Sequence, residues 1–326
     1  MRFLKTPAAG VAIFLSKRVA IVAGLLFIIS LGTFLLLKIA PGDPVRILLG
    51  ARQPTPETLE AIRAQHHLDD PIVTQFFAWL GDAVRLDFGE SIRTSEPVRD
   101  IVLKRLGFSA QLALYAFLLV IATGVPLGVW AAVRRGRPAD RSISAFGIIG
   151  SSTPAFVSSV VLIYLFAVVV AWFPPFGAGD SGWDRIVHLT LPAFALALSA
   201  VAIIIKLTRS AVVEVLDQDY VTFARARGLP ERHVLVRYAL RNALIPVVTA
   251  AGLILSYLVT GAVLVEVTFD LPGIGTLLVD SVNRLDLPVV QGATLAVALA
   301  VILINLGTDA LYAAIDPRLR NSGKRS

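Results

Sequence analysis

Side chains able to do chemistry are few and scattered in this 326-residue chain, which has four histidines and no cysteines. Without cysteine, a disulfide scaffold, a zinc finger and a cysteine-ligated iron–sulfur site are excluded. His66 and His67 are adjacent, so they point to different faces of a helix, and no third ligand is near them in the sequence. No nucleophile–base pair and no glycine-rich loop ending in Gly-Lys-Ser/Thr is present. We therefore expect no catalytic residue, no metal site and no nucleotide site in this chain.

Small polar side chains inside apolar segments form the second group of candidates. Such residues can line a path for a polar solute through a membrane, or they can hydrogen-bond one helix to another for less than about 2 kcal/mol. Both interpretations stay open for Ser152, Thr153, Ser199, Ser256, Tyr257 and Thr260. Asn305 and Asp309 stand one helical turn apart in the last apolar segment, and the position of Asp309 near its end favours a structural partner.

Long apolar stretches must position these residues. The chain is 56% hydrophobic and 16% charged, with a mean hydropathy of +0.75. That composition excludes a disordered chain, and stretches of about 20 apolar residues are typical of bilayer-spanning helices. The first is too long for a cleaved signal peptide, so we interpret it as a retained anchor. The six predicted spans are residues 19–40, 108–133, 143–172, 189–205, 246–267 and 291–314.

Basic residues fix the predicted orientation. Residues 1–18, the loops 134–142 and 206–245, and the tail from 313 together carry 19 basic and 6 acidic side chains. The alternate loops are neutral to acidic, so the positive-inside rule places both termini and these loops in the cytoplasm. The net charge of +7 therefore arises mainly from basic residues in the regions predicted to be cytoplasmic. Nucleic-acid binding is not predicted, because the bases form no single face or motif.

The loop 41–107 is the largest extramembrane segment and is predicted to lie outside. Two short helices are expected in it. Thr55 would cap the first with Pro56 at its first position, and Asp70 would cap the second with Pro71 at its first position. The loop could cover the external mouth of a pathway or form a docking surface for a delivery protein, and neither interpretation excludes the other.

The cytoplasmic loop 206–245 predicts two amphipathic helices. The first would cover 209–227 and stop at Gly228, and the second would begin at Pro230 and end before Pro246. Their mixed apolar and basic faces suit a surface that another protein grips, or helices that lie flat on the anionic leaflet.

Short motifs occur in order along nearly the whole chain: APGDP (40–44), DFGES (87–91), HLTLPA (188–193), DYVTFARARGL (219–229), RNALIP (241–246), VEV (265–267), LPGIG (271–275), LY (311–312) and DPR (316–318). With these motifs, the loop 206–245 resembles the coupling loop of ABC-importer permeases, and the sequence is most similar to the dipeptide/oligopeptide/nickel permease family. Where the wide importer signature has an acid six residues before the glycine, this chain has Thr222, as in the peptide branch.

The resemblance implies an all-α membrane protein with the type I ABC importer permease fold, six transmembrane helices and both termini cytoplasmic. It also implies four regions: 1–40 with the first span, the extracytoplasmic region 41–107, a five-helix core 108–314 that includes the coupling loop 206–245, and a tail 315–326. Positions carried over to ATPase coupling are Asp219, Tyr220, Ala224, Arg225, Ala226, Gly228, Leu229, Arg241, Asn242 and Pro246.

As partners, the resemblance implies a second homologous permease, two ATPases or one fused ATPase that bind ATP and Mg, an extracytoplasmic substrate-binding protein and membrane lipid. The expected location is a bacterial or archaeal plasma or inner membrane. The expected substrates are di- or oligopeptides, with nickel complexes or glutathione as the alternative. A stand-alone secondary transporter is disfavoured, because neither internal repeats nor an intramembrane ionisable site is evident. A membrane receptor or structural anchor is the third class, and testing the coupling loop separates it from an importer.

Overall fold

The computed structural model of the chain describes residues 7–39 and 70–315, and these are almost entirely helical. A single isolated β-bridge joins Glu90 and Pro97 within the described residues. The helices are α1 (Pro7–Ile39), α2 (Ile72–Val84), α3 (Val98–Val133), α4 (Pro138–Ser152), α5 (Ala155–Val169), α6 (Gly182–Leu216), α7 (Asp219–Ala226), α8 (Glu231–Thr268), α9 (Ile274–Asn283) and α10 (Leu287–Ile315).

Four of the described helices are long and apolar enough to cross a membrane: α3, α6, α8 and α10. The bent pair α4 and α5 makes a fifth candidate if it is counted as one span. In α1 the apolar stretch is the shorter Ala20–Leu35. The mostly helical class is therefore confirmed, while the count of six spans stays a prediction.

The third predicted span, 143–172, is not one tilted helix. The chain bends by 101° between α4 and α5. Thr153 is extended there, with φ −94° and ψ 120°, and Pro154 follows it. Proline lacks an amide donor and disfavours helical geometry at the residue before it, which explains the break. Pro126, by contrast, lies inside the continuous helix α3.

Both predicted helices of the loop 206–245 have different bounds in the structure. Residues 209–216 continue α6, and the chain breaks at Asp217 and Gln218 before α7 begins. Gln218 is extended, which ends the run that the sequence suggested would reach Arg227. The second helix does not end before Pro246 but continues through it to Thr268. A proline marks a probable rather than a certain helix end, and here buried Ala243 and Val247 lie on either side of it.

The chain divides into two compact units. The first comprises residues 1–107 and 277–302. In it α2 packs on α1 through aromatic rings, with Phe76 5.5 Å from Phe27 and 5.4 Å from Phe34 between ring centroids. The predicted cap at Asp70 is wrong by one residue, because Pro71 occupies the N-cap position and α2 starts at Ile72. The predicted helix at Thr55 lies outside the described residues.

A buried acid ties together the loops of this first unit. Asp286 is 4% exposed, and it accepts hydrogen bonds from the Ser91 hydroxyl at 2.5 Å and the Ile92 amide at 3.2 Å. The Ser91 oxygen in turn accepts the amides of Arg93 and Thr94. The segment before α3 is thereby fixed to the segment before α10.

The second unit comprises residues 108–276 and 303–326, and α6 is the most buried of the long helices described. A second buried acid, Glu266 near the end of α8, accepts the Ser109 hydroxyl at 2.5 Å and the Gly275 amide at 2.7 Å. The Ser109 oxygen accepts the Ile274 amide at 2.8 Å. These bonds join α3, α8 and the first turn of α9, where backbone amides would otherwise be unsatisfied.

Close packing of α8 against α10 depends on one glycine. A methyl group placed on Gly252 would overlap the side chain of Thr308, whose hydroxyl donates to the Ile304 carbonyl at 2.8 Å. Glycine allows such close approach of two helices because it has no side chain. At Gly261, on the same helix, a methyl carbon would have its nearest neighbouring heavy atom 4.0 Å away, in the Tyr257 ring.

We expect Gly252→Ala to destabilise the protein and Gly261→Ala, its matched control, to leave stability unchanged or raise it. Overpacking costs about 1–3 kcal/mol, whereas alanine in an unobstructed helix position gains up to about 1 kcal/mol over glycine. Thermal unfolding of the purified protein in detergent measures both. Equal midpoints for the two variants would contradict the close approach.

Candidate functional site

The short helix α7 is attached to the rest of its unit by its inner face. Val221 and Ala224 on α7 form a buried cluster with Val234 near the start of α8. The spacing of Val221 and Ala224 places them on one side of the helix, so apolar burial fixes how α7 is rotated. Partly buried apolar side chains surround this cluster: Val215, Leu216, Leu229 and Tyr238.

The outer face of α7 exposes two aromatic side chains among polar and charged ones. Phe223 is 69% exposed and Tyr220 is 40% exposed. Asp219 lies in the first turn, and Arg225 in the last turn, which suits the helix dipole. Ala226 is also exposed. We call the exposed residues 219, 220, 222, 223, 225 and 226 the α7 surface.

A glycine turn closes α7, as the sequence predicts. Gly228 has φ +77°. Its amide donates to the Arg225 carbonyl at 2.9 Å, and the Leu229 amide donates to the Ala224 carbonyl at 3.4 Å. These two bonds form a Schellman motif, in which the left-handed residue is usually glycine. The turn sends the chain directly into α8.

Two polar contacts join the α7 surface to α8. The Asn242 side-chain amide donates to the Tyr220 hydroxyl at 3.1 Å and to the Tyr238 carbonyl at 3.2 Å. Arg225 pairs with Glu231 at 2.9 Å, but both side chains are exposed, so this ion pair contributes only about 0–1 kcal/mol. The structure thus brings together the predicted positions 219–229 and Asn242.

The two remaining predicted coupling positions lie on α8 itself. Arg241 is exposed and directly precedes Asn242. Pro246 is exposed and lies inside the helix, one turn beyond Asn242.

Phe223 is a candidate that sequence reasoning missed. It is not among the predicted coupling positions, although it is the most exposed large apolar side chain on α7. The sequence does not show which face of this helix is buried; the packing of Val221 and Ala224 against Val234 shows it, and it leaves Phe223 on the other side.

An ion pair that was not expected from the sequence joins α4 to α6. Arg209 donates from Nε and Nη2 to the two carboxylate oxygens of Asp140, at 2.6 and 2.8 Å. The Gly136 amide also donates to Asp140, at 2.9 Å. Asp140 is 4% exposed. A two-point bond between a guanidinium and a buried carboxylate fixes orientation as well as distance.

The candidate pathway residues differ in their surroundings. Ser152 and Thr153 lie at the bend between α4 and α5, and each donates to a carbonyl one turn earlier in α4. Ser199 is 8% exposed and donates to the Leu196 carbonyl at 2.7 Å. Such bonds satisfy the hydroxyls within their own helices, and the assignment of these residues to a pathway stays a prediction.

Further candidates lie on α8. Tyr257 is 46% exposed, and Thr260 donates to carbonyls of its own helix at 3.1 Å. Ser256 instead donates to the Asn305 side-chain oxygen at 3.3 Å, which joins α8 to α10. For Ser256 the helix-to-helix interpretation is therefore the one that the contacts favour. Asp309 also has an interaction partner. The adjacent histidines 66 and 67 lie outside the described residues.

Comparison with known families gives two matches that together span most of the chain. Residues 124–321 match the family described as "Binding-protein-dependent transport system inner membrane component". Residues 11–113 match the corresponding N-terminal family, described as a membrane component of a binding-protein-dependent transport system.

Similar proteins have names that refer to transport. A protein of Brucella abortus (strain 2308), named for a peptide transport system permease, is 41% identical over 309 residues, or 93% of this chain and 98% of that protein. The glutathione transport system permease protein GsiC of Escherichia coli (strain K12) is 40% identical over 295 residues, or 90% of this chain and 94% of that protein.

Among solved structures, the fold is similar to that of the MetNI methionine ABC transporter in inward-facing conformations. The native crystal form matches with a TM-score of 0.56 and 20% identity, over 68% of this chain and 100% of the matched chain. A second crystal form of the same transporter gives a TM-score of 0.57 over 66% of this chain and 96% of that chain. At this identity the likeness concerns the fold alone.

Loosening the Schellman turn is expected to open the α7 segment to protease. A β-branched residue at the left-handed position costs about 1–2 kcal/mol, so Gly228→Val should raise tryptic cleavage at Arg225 and Arg227 by roughly 5–30-fold. Gly228→Asn is the matched control, because asparagine tolerates this backbone geometry. Equal cleavage rates for the wild type and both variants would contradict the role of the turn.

Proposed function

Because this chain belongs to the family of binding-protein-dependent transport system inner membrane components, we propose that the α7 surface is where an ATPase subunit docks. The chain is the permease subunit of an ABC importer and is not itself an enzyme. ATP hydrolysis and initial substrate capture belong to partner subunits.

The observation that carries the docking proposal is the two-sided nature of α7. Its inner residues are buried against α6 and α8, so the helix is held in place. Its outer residues include Phe223, which is 69% exposed although α7 is not part of an apolar span. An exposed aromatic on a fixed helix, flanked by Arg225 and Arg227, suits the centre of a protein interface better than a solvated loop.

We further propose that the chain crosses the bacterial inner membrane six times with both termini in the cytoplasm. The excess of basic residues in 1–18, 134–142, 206–245 and the tail supports this orientation. In it α1 is the first span, and α4 with α5 together form the third. Region 41–107 would face a substrate-binding protein outside, region 108–314 would form the permease core, and 315–326 would be the cytoplasmic tail.

The complete importer would contain a second, similar permease and two ATPases or one fused ATPase that bind ATP and Mg. This chain would then supply half of the pathway. Ser152, Thr153, Tyr257 and Thr260 are the candidates that would face it. Ser199 and Ser256 are set aside, because Ser199 is buried and Ser256 bonds to Asn305.

Peptides are the proposed substrate class, with glutathione as the second candidate. The name of the Brucella abortus relative supports peptides, and the name of the Escherichia coli relative supports glutathione. The two relatives are nearly equally identical to this chain, at 41% and 40%. Glutathione is itself a tripeptide in chemical class, so a single type of pathway suits both. The residues described along the spans do not select between them.

Phe223→Ala should weaken binding of the ATPase at least about tenfold, because truncating a central interface aromatic removes about 2 kcal/mol or more. Phe176→Ala is the matched control, since Phe176 is 56% exposed outside the α7 surface and follows α5. Co-purification of the ATPase with each variant measures this effect. Equal recovery from both variants, with intact membrane insertion, would refute docking on α7.

The substrate class can be measured in proteoliposomes that contain the complete importer with its substrate-binding protein. We expect ATP-dependent uptake of labelled tri-alanine or of reduced glutathione, and competition by the unlabelled compound. Uptake that persists without ATP and follows an ion gradient would instead indicate a secondary transporter. ATP-dependent uptake of nickel complexes, with neither peptide carried, would overturn the peptide proposal.

A further inference from the structure

We propose that the Asp140–Arg209 ion pair makes α4 move together with α6, so that a displacement of α7 reaches the bend at Thr153 and Pro154. This inference rests on the proposed docking of an ATPase on the α7 surface. It assigns to Asp140 and Arg209 a positioning role in transport, in addition to holding the fold together.

The ion pair has a two-point geometry. Asp140 lies in the first turn of α4, and Arg209 lies two turns before the end of α6. Arg209 binds both carboxylate oxygens, and the Gly136 amide binds one of them as well. A single contact would act as a pivot. Two parallel bonds to a planar guanidinium resist rotation and sliding of one helix along the other.

Beyond the ion pair, α4 and α6 continue to pack against each other. Ile143 on α4 joins a buried cluster with Val201 and Ile205 on α6. Further along, a methyl carbon placed on Gly147 would lie 3.5 Å from the Cβ of residue 202. At Gly150 the α6 backbone comes closer still, since such a carbon would lie 3.0 Å from the carbonyl oxygen of residue 198. The two helices are thus in contact from the ion pair to the last turn of α4.

The last turn of α6 connects this pair of helices to α7. Val215 and Leu216, in the last turn of α6, pack on the buried cluster that includes Val221 and Ala224 of α7. A force on α7 is therefore applied to the end of α6 that lies beyond Arg209. Contiguous packed elements of this kind can carry coupling between distant sites, provided that one of them has two arrangements.

For a shift of α7 to reach the candidate pathway residues, the bend between α4 and α5 must have two arrangements. Thr153 is extended there, and Pro154 cannot donate the hydrogen bond that would straighten the chain into one helix. Ser152 and Thr153, two of the candidate pathway residues, lie at this bend. α5 also contacts α6 and α8. If α4 follows α6 and α5 stays with α8, a shift of α7 changes the bend and moves those hydroxyls.

The first experiment uses the complete importer in proteoliposomes, with labelled tri-alanine and reduced glutathione as probes. Asp140→Asn and Arg209→Lys each remove the two-point ion pair while keeping similar side-chain size. We expect ATP hydrolysis within about twofold of the wild type and uptake per ATP hydrolysed at least about tenfold lower, because coupling depends on the pair. Arg141→Lys is the matched control, since Arg141 is exposed in the same turn of α4. In this variant the uptake per ATP hydrolysed should equal that of the wild type.

The second experiment replaces the ion pair with a covalent bond. The chain has no native cysteine, and the 3.5 Å separation at Gly147 and Ala202 lies at the short end of the usual Cβ–Cβ range of a disulfide. In the Asp140→Asn background, oxidation of Gly147→Cys/Ala202→Cys should restore uptake per ATP, and reduction should abolish the recovery. In the wild-type background the same disulfide should leave uptake unchanged. Gly147→Cys alone controls for oxidation of the partner subunits.

Three results would overturn the inference. Asp140→Asn with normal uptake per ATP would show that the pair is not needed. A disulfide that blocks the otherwise wild-type importer would show that α4 must slide along α6. Failure of Asp140→Asn to bind the ATPase, not repaired by the disulfide, would show that the pair builds the docking surface instead. A wild-type importer that takes up neither probe with ATP would contradict the proposed function, and that result is separate from these three.

Discussion

A charged group that leaves water must be matched by donors or an opposite charge inside the protein, and this requirement organises each of the two units. Three acids, Asp140, Glu266 and Asp286, are almost completely buried. Each accepts bonds from segments far away in the chain, at separations of 69, 157 and 195 residues. They therefore add directional contacts to the apolar packing, which is itself non-directional, and help to fix the register of neighbouring segments.

The apolar helices themselves were largely predictable, because bilayer-spanning length and composition are local properties of a sequence. Five of the six predicted apolar segments coincide with α3, the α4–α5 pair, α6, α8 and α10, and the first overlaps α1. What was missed is how far helices continue past their apolar stretches. The segment 206–216 is assigned to a cytoplasmic loop whose first helix would begin at residue 209, yet it is continuous with α6, and Thr208 and Val212 are buried within the unit. The signal available in the sequence was the helical spacing of the residues on one face of this segment.

The candidate site was predictable in part for the same reason. Gly228 identified the turn, since a left-handed helix end has a strong residue preference. The pairing of Asp140 with Arg209 was not predictable, because it depends on the three-dimensional approach of two helices. In the sequence analysis both residues entered only the count of charges that predicts the orientation of the chain in the membrane. Glu266 was part of a recognisable motif, but its buried position among backbone amides follows only from the reversal of the chain between α8 and α9.

The length of α7 has a consequence for how the importer is assembled. Eight residues are too few for a stable helix in isolation, because nucleation costs more than a few hydrogen bonds return. The helix exists only when the ends of α6 and α8 are already side by side to bury Val221 and Ala224. An ATPase that recognises this helix would thus bind folded permease and ignore chains whose helices have not yet associated. Binding of the ATPase to α7 would then select permease chains that have folded in the membrane, without a separate signal sequence for that purpose.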